Sequence, residues 1–251
     1  RDTLRGAPAA LGLALDRTPA QRDYRLRQVD VTLDRARVEQ LRRTATDTRT
    51  TVFTLLLGLW ATVLARFGHD REVVIGIPVS GRNQPALTGV VGFLSNTIPL
   101  RVECDGGAAL APFAQGLQRR VLDAMLHQDP PFTQILDAAQ VERVRDRNPL
   151  VQAMFVLSDV RPWALKLDDV AATFVREPGA VARADISLVL RQHDTGIEGA
   201  IEFAGDVMSD ALASRIAAGF MRVIEAALDR PEQPLAAHSL LGDDERAALL
   251  R

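Results

Sequence analysis

Four histidines are the side chains in this sequence best suited to general-base chemistry, because imidazole titrates near neutral pH. His127 stands two residues before Asp129, in His-Gln-Asp-Pro-Pro, where a carboxylate could orient its ring. Residues two apart do not share a helical face, however, and no serine or cysteine occupies a motif-defined position nearby. His69 falls in a Gly-His-Asp-Arg turn and is expected to be solvated, while His193 and His238 read as a hairpin residue and a tail residue. Ser80, in Pro-Val-Ser-Gly-Arg, lies at a strand end without the first glycine of a Gly-x-Ser-x-Gly nucleophile elbow. Cys104 is the only cysteine, which excludes an internal disulfide and a cysteine-based zinc site. Its neighbours Glu103 and Asp105 disfavour a thiolate, so it reads as a partly buried strand-end residue. Lys166 is the only lysine and sits in Ala-Leu-Lys-Leu, so there is no phosphate-binding Gly-Lys-Ser/Thr loop. No Gly-x-Gly-x-x-Gly follows a strand, and neither Ser158-Asp159 nor the scattered carboxylates form an acid–base pair by spacing. Composition and spacing alone give no visible active site.

The elements that would position any chemistry are clearer. Residues 7–25, with Pro8, Gly12 and Pro19, read as a linker without periodicity. Residues 24–33 alternate as a strand, with a slip around Gln28, and Asp34 can cap a helix carrying Val38 and Leu41 inward. Thr50 or Thr51 caps a second helix over residues 52–67, apolar nearly all round and closed by Gly68. The run Glu72–Val79 is continuous and β-branched, as in a strand covered on both faces. After a turn-rich segment, residues 98–102 predict a strand that Pro99 demotes toward an edge. Helices are predicted over residues 109–126 and 132–139, and strands over 151–157 and 171–176. Residues 186–192 and 197–203 form a hairpin pattern around Asp194-Thr195-Gly196. Ser209 caps a last long helix ended by Pro231 and Pro234, and a short helix is expected near residues 243–250. The order of elements predicts an α/β or α+β fold with a mixed sheet and helices packed against it.

The 251 residues, 47% hydrophobic and 25% charged, with a mean hydropathy of +0.02, are those of a globular protein with room for a real core. A net charge of −2 gives no basic footprint for nucleic acid. The longest apolar stretch, residues 52–65, falls short of the roughly 20 residues of a membrane span. Among the 30 basic residues all but Lys166 are arginine. A demand for bidentate contacts would bias a patch rather than a whole chain, so this bias points to codon usage in a GC-rich genome. The opening Arg1-Asp-Thr-Leu-Arg-Gly-Ala-Pro8 reads as the tail of a helix ended by Gly6 and Pro8, and hence as part of something longer.

Several segments carry a more specific likeness. Ile75-Gly-Ile-Pro-Val-Ser-Gly-Arg-Asn83, followed by Gly89-Val-Val-Gly-Phe-Leu-Ser-Asn-Thr-Ile-Pro-Leu-Arg101, resembles a core motif of nonribosomal peptide synthetase condensation domains. His127-Gln-Asp-Pro-Pro-Phe132 and Arg145-Asp-Arg-Asn-Pro-Leu-Val-Gln152 are similar to the next two motifs, in order. Ala184-Asp-Ile-Ser-Leu188 resembles the family's Phe-Asp-Leu strand with Ala where Phe is usual, and Gly196-Ile-Glu-Gly-Ala-Ile-Glu-Phe203 the strand pair after it.

This resemblance implies a chloramphenicol acetyltransferase-like lobe, with residues 1–25 an inter-lobe segment, 26–234 the C-terminal lobe, and 235–251 a linker toward an adenylation domain. The family's catalytic His-His-x-x-x-Asp-Gly belongs to the N-terminal lobe. No His-His pair occurs here, and the positions four residues after the histidines hold Val73, Pro131, Ile197 and Gly242. No catalytic residue is therefore expected in this chain. The resemblance implies peptide-bond formation between carrier-bound thioesters in the intact domain, the substrates arriving on phosphopantetheine arms. No cofactor or metal would be bound directly. The implied partners are the N-terminal lobe, donor and acceptor peptidyl carrier proteins and an adenylation domain, with no nucleic acid and no membrane, in the cytoplasm. A substrate tunnel is expected to be lined by Gly81, Arg82, Asn83, Gly92, Phe93, Ser95, Asn96 and Thr97. Glycines there permit close approach and positive φ, and Asn96 can bond a substrate amide; alternatively, Arg82 and Asn96 simply tie turns together. Pro78, Arg147, Asn148, Pro149 and Asp185 are expected to be structural. Asp185 in particular requires a cationic or hydrogen-bonding partner if buried. Gly196, Glu198, Gly199, Glu202 and Phe203 resemble the hairpin that crosses to the other lobe, with an edge left unpaired in this chain. Two alternatives stand beside this reading: a catalytically inactive, condensation-like domain that docks a tailoring enzyme, and a freestanding acyltransferase of the same superfamily.

Overall fold

The computed structural model describes residues 2–104, 106–141, 147–159, 181–242 and 245–247. Its frame is a six-stranded mixed sheet. In chain order come β1 (Leu26–Asp34), α1 (Arg35–Asp47), α2 (Val52–Gly68), β2 (Glu72–Val79), β3 (Asn96–Glu103), α3 (Leu110–Leu126) and α4 (Phe132–Ala139). These are followed by β4 (Ala153–Ser158), β5 (Ile186–His193), β6 (Gly196–Ala204) and α5 (Asp210–Asp229). The spatial order is β1-β6-β5-β4-β2-β3, with β5–β4 and β4–β2 parallel and the other pairs antiparallel. The mixed sheet is the one the element order predicts. The strand expected over residues 171–176 lies outside the described residues, as does most of the terminal helix, of which residues 245–247 are helical.

Local chemistry explains the element boundaries. Asp34 caps α1 by accepting from the Arg37 N–H at 2.8 Å. Thr51, rather than Thr50, caps α2 through the Thr54 N–H, and Ser209 caps α5 through that of Leu212. The left-handed residue that ends α2 is His69, φ 56°, not Gly68. Gly68 serves a different purpose: a Cβ there would lie 3.0 Å from the Leu13 nitrogen, where the chain of residues 12–13 crosses. Strand β1 starts after Tyr24 because Tyr24 itself has φ 51°.

Alternation along the strands divides the sheet into two faces. Val73, Ile75, Ala153, Phe155, Ile186, Leu188, Ile201 and Phe203 join the main core, where α2, α5, α3 and α1 pack. Helix α2 lies deepest, buried from Thr54 to Ala65, and Trp60 meets Phe220 of α5 edge-to-face at 5.7 Å. Val74 and Met154 point the other way, into a second cluster with Leu136 of α4, Leu150 and Val151. Beside it, Glu198 and Glu202 of β6 lie on that same far side by alternation. Among the described residues no single helix is long and apolar enough to cross a membrane.

The segment expected to be a loose linker is instead a tied strap. Leu11 N–H donates to Gln152 Oε1 (2.8 Å), Gly12 N–H to Asp70 Oδ2 (2.8 Å), and Arg17 Nη1 to the Gly205 carbonyl (2.6 Å). Arg22 turns inward and bridges Asp185 at 2.7 Å and Asp206 at 2.8 Å, its guanidinium 4.2 Å from the Tyr24 ring centre. These polar ties act together with Leu13, which is buried in the main core, to hold a segment without a hydrophobic period.

Candidate functional site

The residues expected to line a tunnel fall in the long connection between β2 and β3 and, for Asn96 and Thr97, at the start of β3. The turn after β2 closes at Gly81, φ 66°, where a Cβ would fall 2.0 Å from the Leu94 carbonyl oxygen. Only glycine fits that conformation and approach. Gly92 is different: its φ is ordinary and nothing lies within 4 Å of a Cβ there, so neither backbone conformation nor crowding requires glycine. Arg82 reaches across the loop, Nη2 donating to the carbonyls of Val90 (2.8 Å) and Gly92 (3.3 Å). Asn83 donates to Asp129 Oδ1 at 2.5 Å.

Asn96 opens β3 and clamps the α3–α4 connection. Its Nδ2 donates to the Gln128 carbonyl at 3.0 Å and the Pro130 carbonyl at 2.8 Å, and its Oδ1 accepts from the Phe132 N–H at 3.1 Å. Both amide donors and the amide oxygen are thus engaged within the chain. Thr97 pairs with Pro78 in the β2–β3 ladder. Pro99 lies in β3, an edge strand of the sheet, as its missing donor requires. Ser95 is exposed, and Val91 (100%) and Phe93 (93%) present bare apolar side chains to solvent. Leu122 and Leu126, near the end of α3, are likewise exposed. The bonds from Asn83 to Asp129 and from Asn96 to residues 128–132 join this loop to the segment just beyond α3.

His127 and Asp129 do not form a pair. The His127 ring turns back to the Asp123 carbonyl, Nδ1 at 2.8 Å, and Asp129 is held by Asn83. His69 is exposed and His193 Nδ1 meets Thr195 Oγ1 at 2.8 Å. His238, expected in a loose tail, is fully buried. The apolar spacing of Leu235, Leu240 and Leu241 around it was the signal available for its burial.

The residues expected to be structural have visible partners. Asp185 is 3% exposed at its side chain and holds Arg22; Asn148 Nδ2 donates to the Arg183 carbonyl at 3.0 Å; and the Pro149 carbonyl accepts from Val151 N–H at 2.7 Å. Arg147 lies half-buried at the same turn. Asp206 shows the electrostatics of this cluster. Burial pushes its carboxyl up, yet the Arg22 bond and the Tyr24 N–H outweigh this and hold it below the ordinary carboxylate range.

The open edge expected on the last hairpin does not exist. Strand β6 pairs with β5 on one side and, through nine register pairs from Leu26↔Ala204 to Asp34↔Gly196, with β1 on the other. Gly196, Glu198, Gly199, Glu202 and Phe203 therefore lie inside the sheet. At Gly199 a Cβ would meet the Val189 carbonyl oxygen at 2.0 Å, so crowding between β5 and β6 demands glycine.

Residues 1–250 match the family model of the condensation domain. The chain belongs to the condensation-domain family. Malpinin synthetase of Mortierella alpina is 30% identical over 251 residues, all of this chain but 3% of that protein. Among solved structures, a four-domain nonribosomal peptide synthetase bound to AMP and glycine matches 96% of this chain and 20% of its own, with TM-score 0.85 and 22% identity. The X-domain from teicoplanin biosynthesis, in complex with OxyB, matches 97% of this chain and 55% of its own, with TM-score 0.84 and 24% identity. The fold is thus the chloramphenicol acetyltransferase-like one of condensation domains, and the relatives include a probable non-canonical nonribosomal peptide synthetase of Salinispora arenicola, 30% identical over 257 residues and matched over 3% of its length.

Proposed function

We propose that this chain is the C-terminal lobe of a nonribosomal peptide synthetase condensation domain. The intact domain joins two carrier-bound thioesters: the acceptor amine attacks the donor thioester carbonyl, the amide bond forms, and the donor carrier's thiol leaves. The observation that carries this reading is a pair. The family model covers residues 1–250, yet the 251 residues contain no His-His-x-x-x-Asp-Gly. The histidine that positions or deprotonates the amine then belongs to the N-terminal lobe, and this chain forms a wall of the tunnel and part of the carrier docking surface. Holding both thioesters in one tunnel supplies much of the rate by proximity.

In this reading residues 1–25 are the inter-lobe segment, 26–234 the lobe and 235–251 the way toward an adenylation domain, in the cytoplasm. The loop of residues 80–97 borders the tunnel. Arg82 and Asn96 act from within it by holding its shape, while Phe93, Val91 and the backbone near Gly92 meet what lies opposite. A test is peptide formation from two loaded carrier proteins: this chain alone gives none, and product from the chain alone refutes the reading.

A second reading is favoured by the teicoplanin X-domain likeness, a domain solved with OxyB bound. In it the chain belongs to a condensation-like domain that docks a tailoring enzyme. Retention of a tailoring oxidase by the intact domain, with no peptide formed, separates it from the first.

A further inference from the structure

His238 is an unusual core residue. Its side chain is fully excluded from solvent, and neither ring nitrogen has a hydrogen-bond partner. Buried imidazoles ordinarily bond through at least one nitrogen. The ring sits at the end of a short 3-10 turn, Leu235–Ala237, that fastens the chain after α5 to the body of the lobe. That fastening consists of a few backbone bonds beside the packing of Leu240 on the core. Leu235 N–H donates to the Ala108 carbonyl (3.0 Å), Ala236 N–H to the Gly106 carbonyl (3.0 Å), and Arg66 Nη1 of α2 to the His238 carbonyl (2.5 Å). Leu235 and the His238 ring supply the buried side chains. Just beyond, Ser239, Leu240 and Leu241 border a cavity of about 630 Å³ together with Arg66, Leu13 and Leu212, so the segment has open space beside it.

We propose that residues 235–241 are a latch that stays seated only while the His238 ring is neutral, and that proton uptake by this ring releases the segment. A charged imidazolium would be buried with no hydrogen-bond partner on either nitrogen. The charged groups that act on the ring are Arg230 after α5, Arg66 of α2 and Glu232 in the following turn, two cations against one anion. Burial first, then the fields of Arg230 and Arg66, hold the ring below the ordinary imidazole value, and Glu232 opposes them. The sign follows. A released, solvated ring binds its proton near pH 6.5, whereas the seated ring binds it only at lower pH. The seated state is therefore fully favoured above about pH 6.5 and loses ground as pH falls below it. With one proton involved, the open fraction rises toward tenfold per pH unit in that window. If residues 235–251 lead toward an adenylation domain, release lengthens the tether between the two once the Glu245–Arg215 ion pair (2.8 Å) also opens, but the latch itself does not rest on that reading.

The test is hydrogen exchange by mass spectrometry on the full chain between pH 7.5 and 5.5, corrected for the intrinsic pH dependence of exchange. The expected result is a level opening ratio for the peptide spanning residues 235–241 above pH 6.5 and a steep rise below it, while peptides of α2 stay protected. In His238→Leu the rise disappears. His238→Gln, similar in bulk and without a titration, must lose it too even if its segment is less protected at every pH. A flat profile in the parent chain overturns the proposal, as does an unchanged rise in both variants, or exchange in α2 rising in parallel.

Discussion

Replacing Arg22 by methionine probes the device that ties the strap of residues 7–25 to the sheet. Its guanidinium bridges Asp185 at 2.7 Å and Asp206 at 2.8 Å, and the three side chains are 9%, 3% and 6% exposed. Removing one partner of a buried pair leaves an uncompensated charge, at a cost of about 3–5 kcal/mol. Here two carboxylates are left facing each other's field. Asp206 keeps bonds from the Asp23 N–H (3.1 Å) and Tyr24 N–H (3.3 Å), which moves the expected loss to the lower end, about 3 kcal/mol. Urea unfolding followed by Trp60 fluorescence, in a Trp163→Phe background, reads this directly, because Trp60 is fully buried. With a urea slope of about 3 kcal/mol per molar, the midpoint falls by about 1 M at pH 7. Acid changes the result in a definite direction. The Asp206 carboxyl lies below its ordinary range when Arg22 is present, so its stabilisation is present above about pH 4 and fades as pH falls through the folded value. The gap between parent and variant therefore narrows on acidification. Adding Asp185→Asn to Arg22→Met should recover about 1 kcal/mol or more, since one uncompensated charge is removed. A midpoint shift under about 0.2 M at pH 7, or a gap that widens in acid, refutes the reasoning.

Other substitutions test the candidate site and the sheet. Asn96→Ala removes two donors and one acceptor from the clamp on residues 128–132, and should lower unfolding free energy by about 2 kcal/mol in the same urea assay. Gly199→Ala forces a Cβ against the Val189 carbonyl and should cost about 3 kcal/mol or more, seen as a collapse of soluble yield or a large fall in Tm. Phe93→Ser, at a fully bare position, should leave stability within about 0.5 kcal/mol of the parent. In an intact domain it should nevertheless lower peptide formation, measured by mass spectrometry of the carrier-bound product.

How much of this was legible in the sequence depended on how local each determinant is. The caps at Asp34 and Ser209 act within three residues, and α2 and β2 are long apolar runs, so pattern and chemistry placed them closely. The strap escaped because its ties are long-range: Leu11 finds Gln152, Arg17 finds Gly205, 188 positions on, and Arg22 finds Asp185 and Asp206, 163 and 184 positions on. No period in residues 7–25 encodes those partners. The hairpin edge escaped for a related reason. The alternation of Gly196-Ile-Glu-Gly-Ala-Ile-Glu-Phe203 fits a half-covered strand, and only the sheet order reveals β1 along its other side. His238 reads in the sequence only as a tail residue, and its burial goes with backbone ties to Arg66 of α2 and to Ala108 before α3 that no local pattern encodes. At the candidate site, Arg82 bonds its own loop whereas Asn83 and Asn96 bond the segment of residues 128–132, partners that spacing along the chain cannot show.

The most direct measurement is amide formation between two carrier proteins loaded with aminoacyl thioesters, followed by intact-protein mass spectrometry. It compares this chain alone with the same chain preceded by a lobe carrying His-His-x-x-x-Asp-Gly. The account predicts no dipeptidyl carrier with the chain alone, product with the two lobes joined, and none once the second histidine of that motif is replaced by alanine. Product from the chain alone, or none from the joined lobes when carriers and fold are verified intact, contradicts it.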